Sequence, residues 1–279
     1  MDSATLHWAT RRYLTTRYEE LQREYSQLPN GGRQADGYRY STEAKQIFPR
    51  YNIVDAMLVE VERLDPDRLP GVSGVASMML AAAESADSPF TRPPDDETQA
   101  RAMADERRLF AAQVERWRTQ PDFQTEPVPY RRVLTPEESS DWRTSLTRRW
   151  GVRDGWWYPL LSGSVPPDVL VLTGESMWAD DGVDQVRRVL RELGRPRVVE
   201  LLEDGADYQL DAEIFAPRYT GLEGFWTDER HDWIAYASHE GTVAFGGVLS
   251  VGLLKGWPEV DGWRWPGWQS LGYGPTLSS

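Results

Sequence analysis

The spacing of apolar positions in the first 120 residues predicts a bundle of helices. Apolar side chains recur three or four positions apart, with charged residues between them, in stretches 3–28, 51–64 and 95–119. Residues 72–86 are small, apolar and helix-prone, which is typical of a buried helix. Pro49 is expected to break the chain before the second stretch, since proline lacks the backbone donor that a helix needs. We therefore expect a helical domain over residues 1–120.

The pattern changes after a segment that contains three prolines, residues 121–133, which we interpret as a linker. Residues 134–279 combine helix-like stretches with short apolar runs that are typical of strands. The predicted helices cover 135–150, 180–193 and 248–256, and the predicted strands cover 169–173, 197–202, 208–215, 232–237 and 242–245. The fold class is therefore α+β: an N-terminal helical bundle followed by a C-terminal, mainly antiparallel sheet of four to six strands with helices.

The stretch 224–247 stands out within the second domain as a predicted hairpin. The four residues from Ser238 to Gly241 form its turn, with glycine where the backbone needs a positive φ. Apolar side chains lie on both faces of its strands. We expect either that both faces are covered or that one of them binds a ligand.

Composition narrows the class of protein. The 279 residues contain no cysteine, which excludes disulfides, thiolate nucleophiles and zinc–cysteine sites. No run of about 18 apolar residues and no secretory signal is visible, so we expect a cytoplasmic protein that does not enter a membrane. All but two of the 31 basic residues are arginine, a bias typical of a GC-rich bacterial genome.

The net charge of −13 is concentrated in one region. Residues 200–261 hold 13 acidic and 3 basic residues. Such a field repels nucleic acid and anionic lipid and attracts basic proteins. We therefore predict an acidic surface that binds a basic protein partner, with tryptophans as anchors. Its predicted residues are Asp204, Asp207, Asp211, Glu213, Glu223, Asp228, Glu229, Asp232, Trp226 and Trp233.

Two histidine–carboxylate pairs offer an alternative chemistry. His231–Asp232 and His239–Glu240 together have the side chains of a metal site or of a general base with its orienting acid. The hairpin geometry places the two histidines at opposite ends of a strand, roughly 17 Å apart, so we predict no metal site and no catalytic residue there.

Other functions stay open. An enzyme or small-molecule binder would place a pocket between the two halves, near Trp156, Trp157, Tyr158, His231, His239 and Glu240. A structural subunit of a bacterial assembly is a further alternative. The chain has no nucleophile elbow, no phosphate-binding loop and no dinucleotide fingerprint, so we predict no cofactor.

The segment WIAYASHEGTVAFGG (233–247), with WWYPL (156–160) and a helix start TPEE (135–138), resembles uncharacterised bacterial proteins of actinobacterial type. Some of these are similar to the acidic immunity proteins of polymorphic-toxin systems. The resemblance covers about a quarter of the chain and does not extend to the helical half. It implies a cytoplasmic, non-enzymatic binder that blocks a toxin by covering its active site, and it assigns a role to no individual residue.

Overall fold

The computed structural model describes residues 1–34, 39–91, 96–120, 122–153, 157, 166–179 and 181–267. The chain divides into two compact units between Val128 and Pro129. The first unit is helical, and the second combines an antiparallel sheet with helices. The α+β class predicted from the sequence is thus confirmed. No helix in the described ranges is long and apolar enough to cross a membrane.

Four helices build the first unit. They are α1 (Ser3–Ser26), α2 (Thr42–Glu62), α3 (Val72–Ser85) and α4 (Glu97–Arg118). Asp2, Ser41 and Asp96 cap three of them, each accepting a hydrogen bond from a backbone N–H of the first turn. The apolar stripes of the four helices meet in one core, in which Leu14, Ile53 and Phe110 are fully buried.

Pro49 does not break the chain as predicted, because it lies inside the continuous helix α2. Interior proline costs about 3 kcal/mol through its lost hydrogen bond. The residues on either side of it are tied to the α4 segment: Lys45 Nζ lies 2.6 Å from Asp96, and Arg50 lies 2.8 Å from the buried Glu106. Tertiary contacts on both sides of Pro49, which is itself buried, therefore offset the local preference.

The second unit contains a sheet of seven strands, more than the four to six predicted. The strands are β1 (Arg131–Val133), β2 (Val169–Thr173), β3 (Arg197–Leu202), β4 (Tyr208–Asp211), β5 (Gly224–Thr227), β6 (Trp233–Ser238) and β7 (Thr242–Gly247). Their order is β1-β4-β3-β5-β6-β7-β2, and every neighbouring pair is antiparallel. Three helices accompany them, α5 (Pro136–Trp150), α6 (Gly182–Glu192) and α7 (Val248–Gly256).

Two strand boundaries differ from the prediction. The segment interpreted as a linker, 121–133, ends in β1, which pairs with Tyr208–Leu210. Such pairing between distant segments leaves no signal in three residues. The strand predicted over 208–215 stops at Asp211, where the Ile214 N–H donates to the Asp211 carbonyl and the chain turns.

The predicted hairpin forms the centre of the sheet. Strand β6 pairs with β5 on one side and β7 on the other, and all six of its residues are buried. Ile234 and Tyr236 face a core to which α5 contributes Leu146. Helix α7 packs against β2, β6 and β7. Apolar side chains occur on both faces of the hairpin because both are covered, which answers the question left open by the sequence.

Candidate functional site

The antiparallel registers bring several loops to one end of the sheet. Leu202 pairs with Gly224, Gly224 with Ala237, and Ser238 with Thr242, so β3, β5, β6 and β7 are in step there. Thr173, the last residue of β2, also pairs with Thr242. We call this region the hairpin end, and it consists of residues 174–177, 203–207, Glu223 and 238–241.

The hairpin end is acidic at its surface. Glu175, Glu203, Asp204 and Glu240 are exposed there, each from a different loop or from the turn that follows β3. Segments 174–177, 203–207 and 238–241 contain no lysine and no arginine. Arg143 reaches this end from α5, but its guanidinium is bound to Asp207 at 2.8 Å and to the Leu202 carbonyl. The exposed carboxylates therefore lack a cation on their own loops.

A buried carboxylate holds the hairpin turn in place. Glu223 is 3% exposed and accepts hydrogen bonds from the Tyr236 hydroxyl and, at 3.2 Å, from the His239 backbone N–H. The Ser238 hydroxyl donates to the same carboxylate at 3.4 Å. His239 Nδ1 also contacts Glu223, and this contact fixes the imidazole at the tip of the turn.

The same contact sets the protonation of His239. The hydrogen bond to Glu223 raises the pKa of His239, and the charges of Glu223, Glu240 and Glu203 act in the same direction. Nε2 lies 3.4 Å from a carboxylate oxygen of Glu240. The imidazole is thus the one titratable cation of the turn Ser238–Gly241, surrounded by carboxylates from three loops.

The opposite end of the sheet uses its carboxylates internally. Arg195 is buried and pairs with Asp228 at 3.3 Å and with Asp232 at 2.6 Å. Asp228 also accepts a hydrogen bond from the Trp233 indole at 2.8 Å. Asp211 pairs with Arg197 at 3.0 Å. These acids are neutralised within the fold and offer little charge to a partner.

The acidic surface predicted from the sequence is therefore not one surface. Asp204, Asp207 and Glu223 lie at the hairpin end, whereas Asp211, Glu213, Asp228, Glu229 and Asp232 lie at or beyond the opposite ends of their strands. Asp207, Glu223 and Asp228 are buried, and only Asp204, Glu213 and Glu229 of the predicted acids are classed as exposed.

The two predicted anchor tryptophans are also internal. Trp226 and Trp233 are 2% and 0% exposed, and their indole N–H groups donate to Glu200 and Asp228. Sequence reasoning missed Glu203 and Glu175, whose position follows from the strand register and not from local composition.

The residues of the alternative pocket are dispersed. His231 precedes β6 and stacks on Trp142, with ring centroids 4.8 Å apart, while His239 follows β6 at the hairpin end beside Glu240. Trp157 is buried in the core on the α5 face of the sheet. Trp156 and Tyr158 lie outside the described residues. Within the described ranges, no three His, Asp or Glu side chains are grouped as metal ligands would be.

A separate cleft of about 1270 Å³ lies within the second unit, along one face of α7. Trp150 and Val189 supply apolar wall from α5 and α6, and Val248 and Val251 supply it from α7. Val251 is 61% exposed. Charged side chains line the cleft as well: Arg149, Arg153, Lys255, Asp168, Glu192 and Asp232.

Comparisons of the chain with protein families, with curated proteins and with solved structures each gave no match. A function assigned to this chain therefore rests on its own residues.

Proposed function

We propose that the protein is a non-enzymatic, acidic binding module that takes a basic protein partner at the hairpin end of its second unit. One observation carries the proposal: Glu175, Glu203, Asp204 and Glu240 come together at the surface from separate loops, on segments without lysine or arginine. The resemblance of residues 233–247 to acidic immunity proteins makes a toxin one form of this partner.

The hairpin end suits recognition because its framework is rigid. The turn is held from below by Glu223, which is bonded to Tyr236, Ser238 and His239. Carboxylates on a fixed backbone lose less conformational entropy when a partner binds. Exposed ion pairs are each worth at most about 1 kcal/mol, so this surface mainly accelerates association and selects the sign of the partner's charge.

The test begins with identification of the partner. Tagged protein expressed in its source cells is purified at low salt, co-purifying proteins are identified by mass spectrometry, and the affinity of each purified candidate is then measured by calorimetry. We expect a basic partner whose affinity falls at least tenfold between about 50 mM and 500 mM salt, since screening weakens attraction between exposed charges.

Charge reversal locates the surface. Glu203→Lys combined with Glu240→Lys should weaken binding by about tenfold or more. The matched control combines Glu213→Lys with Glu229→Lys, which makes the same change in net charge at exposed positions away from the hairpin end. Equal losses in the two double variants, or an affinity independent of salt, would contradict the proposal.

A further inference from the structure

We infer that the cleft along α7 is a binding site for an organic anion with an apolar body, such as a fatty acid or an aromatic carboxylate or sulfonate. This site is separate from the hairpin end and is not needed for partner binding there. The inference rests on the shape of the cleft, on its apolar wall and on the charges at its rim.

The shape follows from the packing of α7. Val248, Val251 and Lys255 lie at positions i, i+3 and i+7, so they share one face of the helix over about 10 Å. Gly252 lets α6 approach α7, since a Cβ there would lie 2.3 Å from Val189 Cγ1. The close contact of the two helices shuts one side of the cleft and leaves its mouth along the exposed face of Val251.

The wall of the cleft is aromatic at the α5 side. Trp150 lies at the C-terminal end of α5, and its ring centroid is 6.1 Å from that of Trp157, which also lines the cleft. Indole rings present a large, rigid apolar area at small entropic cost. Val251 is exposed to 61%, and burying it beneath a ligand would remove apolar surface from water.

The charges of the cleft favour an anion. Arg149, Arg153 and Lys255 make no ion pair with a described carboxylate, and the Arg149 guanidinium lies 6.0 Å from the Trp150 ring. Asp232 is neutralised by Arg195. The three cations therefore outnumber the two remaining carboxylates, Asp168 and Glu192, although the surrounding segment 200–261 is strongly acidic.

Lysine at the end of the α7 face has a definite role in this arrangement. It is one of two lysines in the whole chain, and it stands at the last turn of α7, seven positions beyond Val248. A ligand with its apolar body along Val248 and Val251 would bring an anionic group to Lys255. The ammonium then pairs with that group while the valines and Trp150 cover the body.

The probe is anilinonaphthalene sulfonate, an aromatic anion whose fluorescence rises on burial, titrated into the full chain. We expect saturable binding that decanoate displaces. Val251→Asp and Lys255→Glu should each raise the dissociation constant about tenfold or more. The matched controls are Leu254→Asp, at an exposed apolar position of α7 that does not line the cleft, and Arg191→Glu on α6, and both should bind the probe as the wild type does.

Far-ultraviolet circular dichroism and urea midpoints confirm that each variant is folded, which the exposure of Val251 and Lys255 favours. A second measurement uses wild-type protein alone: neutral phenylnaphthylamine should bind at least tenfold more weakly than the sulfonate. Unsaturable probe binding, equal constants for the two probes, or equal losses in cleft and control variants would each overturn the inference. Partner binding at the hairpin end should be unchanged by Val251→Asp, so failure of one proposal is distinguishable from failure of the other.

Discussion

Replacement of Glu223 by glutamine tests the framework beneath the hairpin turn. Glu223 is 3% exposed and accepts hydrogen bonds from Tyr236, Ser238 and His239. Glutamine has the same size, but it carries no charge and one of its two acceptor oxygens becomes a donor. At least one of the buried donors around position 223 is then left without an acceptor.

The magnitude follows from what is lost. A hydrogen bond to a charged group is worth about 1.5–3 kcal/mol, and an unsatisfied buried donor costs about 1–3 kcal/mol. The glutamine oxygen retains one bond, so we expect Glu223→Gln to lower the free energy of unfolding of the second unit by about 2–3 kcal/mol. Tyr236→Phe removes a single donor to the same carboxylate and should cost about 1 kcal/mol, which provides the internal scale.

The variant should also change the pH dependence of stability. The hydrogen bond to Glu223 raises the pKa of His239 above its ordinary value of 6.5. Its contribution is therefore fully present below the pKa of the unfolded chain, and it is lost as the pH rises through the higher pKa of the folded state. Wild-type stability should fall across that interval, and the fall should be smaller in Glu223→Gln and in His239→Gln.

Urea unfolding followed by tryptophan fluorescence measures the effect. Eleven of the 13 tryptophans lie in residues 129–279, so this signal reports mainly on the second unit. Titrations at pH 5.5, 7 and 9 give the free energy of unfolding and its slope with pH. A change below about 0.5 kcal/mol in Glu223→Gln, or an unaltered pH slope in both variants, would refute the reasoning.

Three further predictions concern other parts of the chain. Burial lowers the pKa of His7 to about 4, so the helical unit should lose stability as the pH falls from 6.5 towards that value; His7→Phe should remove this loss, as acid unfolding followed by circular dichroism would reveal. Arg195→Met leaves Asp228 and Asp232 without their cation and should lower the free energy of unfolding by about 3–5 kcal/mol, whereas a loss below 1 kcal/mol in urea titrations would contradict the role assigned to this arginine. Gly247→Ala should lower the melting temperature by several degrees in calorimetry, because Gly247 has φ +69° and an added Cβ would lie 2.1 Å from the Asp232 carbonyl oxygen; an unchanged melting temperature would argue against this backbone geometry.

The sequence predicted those elements whose signal is local. Threonine, proline and two glutamates at 135–138 predict the start of α5, and the structure has a capping box there, with Pro136 as the first helical residue. The apolar run 169–173 is strand β2, with the bounds expected. Periodicity and caps act within one or two turns, so they are readable without the fold.

Predictions that depended on distant partners failed. Pro49 was expected to interrupt a helix, but the ion pairs of Lys45 and Arg50 with residues of the α4 segment lie 51 and 56 positions away in sequence. Strand β1 has no recognisable pattern of its own, because its place in the sheet depends on pairing with β4, more than 70 residues later.

The hairpin at 233–247 illustrates the division between sequence and fold. Its two strands, its turn and its apolar faces were determined by local composition. Only the tertiary structure decided which carboxylates remain available to a partner. Asp228 and Asp207 meet arginines that lie 33 and 64 positions away, whereas Glu203 and Glu240 meet none on their loops. A carboxylate is exposed or neutralised according to the side chains that the register of the sheet places beside it, and that register joins segments far apart in the chain.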